Sequence, residues 1–77
     1  MNRTYRRNVR LLGKLTRSKR IGYGLSVSQV AAKAGVNYST VYRFENGATV
    51  PRLETITAII GATEYLHGRR RADERGE

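Results

Sequence analysis

Apolar residues recur at helical spacing along most of the chain. Tyr5, Val9, Leu12 and Thr16 lie on one stripe at offsets of four, three and four, and Leu11 and Leu15 widen it. This predicts a first helix from about Tyr5 to Ile21, with residues 1–4 frayed ahead of it. Gly13 weakens its middle by about 1 kcal/mol relative to Ala. Val30, Ala31 and Ala34 predict a short second helix, and Val41 and Phe44, three apart, the inward side of a third. Leu53, Ile56, Ile59 and Ile60 predict a fourth, from about Arg52 into Thr63, with Gly61 a point where it frays or ends early. Tyr65 and Leu66 can still pack back on the domain. From His67 to Glu77 the chain reads HGRRRADERGE, has almost nothing to bury, and is expected to be a basic, flexible or loosely helical tail. The pattern contains no strand and no internal repeat.

The joints between these segments carry specific turn chemistry. Ser26, followed three residues later by Gln29, forms a capping box, which satisfies two orphan amides at a helix start. Leu25 stands just before it, where a hydrophobic staple tucks into the core. Gly35 suits the left-handed conformation that stops a helix, and Asn37 is a second N-cap candidate. The third helix then begins at Tyr38 or Ser39, so that Tyr38, Ser39, Tyr42 and Arg43 point away from the core. Asn46-Gly47 ends it, Gly22-Tyr23-Gly24 turns into the second helix, and Pro51 suits the start of the fourth. Two short capped helices with a tight turn between them, the second presented outward, are the layout of a helix-turn-helix, whose second helix reads base edges in the major groove. The competing reading is an ordinary helical hairpin with a polar surface.

Charge separates the two readings. The chain of 77 residues has a formal net charge of +9 and a pI near 10.9. Such an excess calls for a polyanionic partner, nucleic acid before an anionic membrane surface. Eight of the fifteen basic residues fall in the first twenty positions, where there is no acid, and Arg69-Arg70-Arg71 forms a second run. With no Cys and a single His, His67, the chain has no disulfide and no metal-ligand cluster, and too little material for a catalytic set. Neither an enzyme activity nor a cofactor, metal or small-molecule substrate is expected. No apolar run approaches the ~20 residues of a membrane span, and the N-terminus lacks a signal-peptide core, so a cytoplasmic protein is expected.

From about Ser18 to Leu53 the chain resembles the Cro and repressor proteins of lambdoid phages. The residues that carry the likeness are SKRI at 18–21, GLS at 24–26, VA at 30–31, GV at 35–36, STV at 39–41, ENG at 45–47 and PRLET at 51–55. The resemblance implies an all-α, compact four- to five-helix bundle of the lambda-repressor-like type. It implies an operator-binding transcriptional regulator of phage or bacterial origin, closer in size to Cro than to a repressor with a separate dimerisation domain. Tyr38, Ser39 and Arg43 match the positions that touch base edges. Asn37, Thr40 and Tyr42 match positions that face the DNA backbone or flank the reading ones. Arg20 and Glu45 match an ion pair between the first helix and the end of the recognition helix. Glu45 is also the only acid before Glu54. Three positions depart from the family: Val27 stands where a phosphate-binding Gln is usual, Ala48 where a Lys follows the ENG turn, and the fifth helix has few apolar residues to be built from.

Together these features predict a DNA-binding domain over residues 1–66, its helix-turn-helix core at 26–46, followed by the tail at 67–77. Arg43 is the leading candidate for direct readout, because an Arg fork fits the O6 and N7 acceptors of guanine. Arg17, Lys19 and Arg52 are read as electrostatic contacts that position the protein without specifying sequence. A homodimer, weak or formed on DNA, is expected. The alternatives are a protein-interaction or antitoxin-type module on the same fold, and a basic RNA-binding protein.

Overall fold

The computed structural model describes residues 3–76; Met1, Asn2 and Glu77 lie outside the described residues. Four helices follow one another: α1 (Arg3–Gly22), α2 (Val27–Ala34), α3 (Tyr38–Glu45) and α4 (Leu53–Glu74). No strand occurs among the described residues. Val30, Val41, Phe44, Ile56 and Ile59 are buried at the centre, with Val9, Leu25, Ala31 and Ala62 around them. Each helix contributes apolar residues to this one core.

The helix-turn-helix forms where its caps stand. Ser26 Oγ accepts from the Gln29 amide at 3.0 Å, and Gln29 Oε1 accepts from the Ser26 amide at 2.8 Å, closing the capping box. Leu25 and Val30 are both buried across that cap, as a staple requires. Gly35 ends α2 with φ of 73°, and the Val36 amide donates back to the Ala31 carbonyl at 3.1 Å. A side chain at that φ is strained, so the turn depends on glycine. Asn37 occupies the N-cap of α3, but its side chain makes no capping bond.

Several apolar residues fall elsewhere than periodicity alone places them. The first helix begins at Arg3 and so includes two residues expected to be frayed. Leu11 and Leu15 do not widen the buried stripe but are exposed, as is Tyr5 in part. The reason is Gly13, which is buried. A Cβ there would collide with the Phe44 carbonyl oxygen, so α1 and α3 cross with backbone against backbone at this point. Leu11 and Leu15 lie two residues to either side, about 200° around the helix, and therefore point away. Leu53 is 68% exposed, because it opens α4 at the rim of the bundle where nothing covers it. Pro51 sits two residues before that first turn rather than within it.

The largest departure is the length of α4. Gly61 neither frays nor ends it, and residues 67–74, read from sequence as part of a tail, are its last turns. Among the described residues there are therefore four helices and no separate fifth. Gly61 faces open space, so it costs only its propensity, about 1 kcal/mol. Ile59 before it and Ala62, Thr63 and Leu66 after it pack into the core and outweigh that. Beyond Leu66 the support is polar and aromatic. The His67 ring stacks on Tyr23 with centroids 3.7 Å apart and planes at 7°. Arg70 Nη1 donates to the Tyr23 and Gly24 carbonyls at 3.1 and 3.2 Å. These contacts join the end of α4 to the loop between α1 and α2.

Candidate nucleic-acid interface

The two sides of α3 differ sharply. Val41 and Phe44 are completely buried, while Tyr38, Ser39, Tyr42 and Arg43 are exposed along the other side. Tyr38 and Tyr42, one turn apart, have parallel rings with centroids 6.2 Å apart. Residues four apart meet on a helix surface, so the spacing held this pairing, although each tyrosine reads singly in the sequence. Ser39 and Arg43 run beside them. Asn37 precedes them with its amide unspent on capping, and Thr40 is half-buried.

Arg20 fixes the far end of this helix. Its Nε lies 2.9 Å from Glu45 Oε2, and its Nη2 lies 3.0 Å from Glu45 Oε1. Nη1 donates to the Leu25 carbonyl at 2.8 Å. One guanidinium thus ties α1, the end of α3 and the entry to α2. The two side chains retain 11% and 1% of their exposure, and no buried polar side-chain atom among the described residues lacks a partner. The charge of Glu45 is therefore compensated inside the bundle.

The positions read as backbone contacts separate. Arg17 lines an open groove with Asn46 and Gly47, next to the end of α3. Arg52 stands at the N-cap of α4, exposed, 3.7 Å from Glu54. Lys19 is about 160° around α1 from Arg17 and faces α4. There its Nζ lies 2.9 Å from Glu64 Oε1, and the Tyr23 hydroxyl donates to the same carboxylate at 3.1 and 3.2 Å. The hydrogen bond to Glu64 raises the Lys19 pKa, and the hydrogen bond from Lys19 lowers that of Glu64. Lys19 is thus apart from α3. Lys33 of α2 is likewise engaged, 4.0 Å above the Tyr65 ring.

A helix-turn-helix family model matches residues 17–66. The chain belongs to the Cro/repressor-type helix-turn-helix family. This is a family of DNA-binding regulators. In this member the matched span covers the second half of α1, both helices of the helix-turn-helix and α4 as far as Leu66. No curated protein and no solved structure matches the chain. No helix among the described residues is long and apolar enough to cross a membrane, and no group of residues there has the makings of a metal site.

From the sequence, the basic first helix and Arg52 stand in for the phosphate contacts missing at Val27 and Ala48, but on α1 only Arg17 and Lys19 are singled out. Arg6 and Arg10 line a groove with residues 47–50, and Arg10 and Lys14 line the next one with Arg17. The signal was present in their spacing of four, which puts one cation on each turn of the same side.

Proposed function

We propose that the protein is a sequence-specific regulator of transcription that inserts α3 into the major groove of double-stranded DNA. The observation that carries this reading is the exposed row Tyr38, Ser39, Tyr42 and Arg43, backed by a side of α3 that is fully buried. Arg43 bonds the O6 and N7 of a guanine, Ser39 bonds a base edge near the start of the helix, and the Tyr38 ring contacts a thymine methyl. Asn37, Thr40, Tyr42, Arg17 and Arg52 grip phosphates and set the register. Regulation follows from occupying a site that overlaps a promoter, in the manner of a Cro protein or small repressor, in the cytoplasm of a bacterium. Two copies pair on DNA, with recognition helices about 34 Å apart, one turn of the duplex.

The test is selection from a pool of random duplexes, followed by titration of the selected site at several salt concentrations. A common motif must emerge, and binding must weaken steeply with salt. Selection without a motif removes the reading role of α3. Binding to a protein partner that persists at high salt, with no DNA binding, favours the protein-interaction module instead.

A further inference from the structure

The acids and bases of this protein sort by location. All five acids among the described residues are in ion pairs: Glu45 with Arg20, Glu54 with Arg52, Glu64 with Lys19, Asp73 with Arg69 and Glu74 with Arg70. Four of these pairs lie on or against α4 and offset most of its charge. The largest share of the surplus positive charge is on α1. Arg6, Arg10, Lys14 and Arg17 are exposed, and none has an acidic partner among the described residues. The one carboxylate at the edge of their groove belongs to Glu45 and is held by Arg20.

These four cations form a row. They recur at offsets of four, four and three, one to a turn, over roughly 16 Å at 1.5 Å per residue. Like charges at this spacing repel, so the row costs stability in the free protein. It is continuous with the loop after α3, because Arg10 and Gly47 belong to both grooves that flank it. The Arg10 stem lies against Gly47, where a Cβ would stand 3.1 Å from Arg10 Cγ. Of the exposed apolar residues of α1, Leu11 and Leu15 are at least about 100° around the helix from Arg6, Arg10 and Arg17. Leu11 is about 60° from Lys14, and Ile21 continues the side of the row one turn beyond Arg17. The side of the row thus carries one exposed apolar residue at its end, too little for the broad apolar face that a membrane-seeking helix buries.

We propose that Arg6, Arg10, Lys14 and Arg17 form a rail for the phosphodiester backbone of duplex DNA flanking the base pairs beneath α3. The rail extends the grip beyond the helix-turn-helix, past the C-terminal end of α3, and it rests on the proposed placement of α3 in the major groove. Its chemistry is that of successive phosphates met by successive cations, independent of base sequence. It also supplies phosphate contacts that the helix-turn-helix itself lacks at Val27 and Ala48.

The experiment compares the wild type with Arg6→Gln/Arg10→Gln/Lys14→Gln on random duplex and on duplex selected by the wild type, across a range of salt. Neutralising three phosphate contacts makes the slope of log K against log salt shallower by roughly 2.7, at about 0.9 for each phosphate. The ratio of selected to random affinity stays the same. Hydroxyl-radical protection outside the selected base pairs disappears. The charge-preserving variant Arg6→Lys/Arg10→Lys/Lys14→Arg keeps the wild-type slope, and circular dichroism confirms that all three proteins are helical. An unchanged slope and footprint overturn the rail, as does an equal loss in the charge-preserving variant. Loss of binding to phosphatidylserine vesicles, with DNA binding intact, assigns the row to a membrane surface instead. If the wild type binds duplex without sequence preference, the salt arm still decides the rail, and it is the reading role of α3 that fails. If it binds no duplex, both fall together.

Discussion

Arg43 and Arg20 carry the same group and have opposite fates. Arg43 is exposed on the outer side of α3, with no acid beside it among the described residues, whereas the Arg20 fork is spent on Glu45. Arg43→Ala is expected to weaken binding to the selected site by about 1–3 kcal/mol and to leave affinity for random duplex and the salt slope nearly unchanged. Equal losses on both duplexes, with a shallower slope, would make Arg43 a phosphate contact and move the reading to Tyr38 and Ser39. Arg20→Ala acts on folding instead. It leaves the buried Glu45 carboxylate without its partner, so chemical denaturation should register a loss of about 3–5 kcal/mol. A loss under about 1 kcal/mol, the range of exposed pairs, would mean that water screens the pair. The position of both arginines was legible in the sequence, one from its place beyond the inward Val41 and the other from the family likeness and the isolation of Glu45. The role of Gly13 was not. Its propensity cost is visible in the sequence, but the Phe44 carbonyl that requires it lies thirty-one residues away and belongs to another helix.

Among the elements, the short helices were easier to read than the long one. The capping box at Ser26 and the left-handed Gly35 are local instructions, and α2, the turn and α3 follow from them. Past Leu66, α4 has no apolar stripe, and its order comes from His67 on Tyr23 and Arg70 on the loop carbonyls, contacts between residues more than forty apart. Periodicity carries no trace of such partners. Glu64 is part of the same seam, and its titration follows from its bonds. Its folded pKa is lowered, so its contribution to stability is present above its unfolded value and fades as pH falls through the folded one. Lys19 is raised, so its contribution is present below its unfolded value and fades only as pH climbs through the raised one. The pair is intact throughout the neutral range and fades at both extremes. Glu64→Gln should therefore lower the melting temperature slightly at neutral pH, since the pair is exposed. The difference from wild type should close as pH falls below the carboxylate range. A gap that persists in strong acid would assign the effect to packing instead.

Taken whole, the molecule extends over 47 × 19 × 17 Å and carries a formal net charge of +9. The residues of α4 beyond Leu66 are mostly charged, and they offer no long apolar face for a partner copy. In free solution the protein is therefore expected to sediment as a monomer or a weak dimer at low micromolar concentration, with firm pairing only on DNA, where phosphates offset the repulsion. A stable dimer without DNA would contradict this. The crossing at Gly13 bears on what such a complex can sense. Because α1 touches α3 there with no side chain in between, the two helices have no slack, and the rail and the reading helix keep one fixed offset. DNA, in contrast, can be wound more or less tightly. Twisting the duplex rotates its backbone relative to the base edges a few steps away, and a rigid two-point gauge registers that rotation as misfit. Affinity for one site placed in small circles of graded supercoiling should then pass through a maximum at one winding. Gly13→Ala, which must push the helices apart, should shift that maximum or flatten it. One glycine in the middle of α1 would thus make the protein a sensor of torsion as well as of sequence.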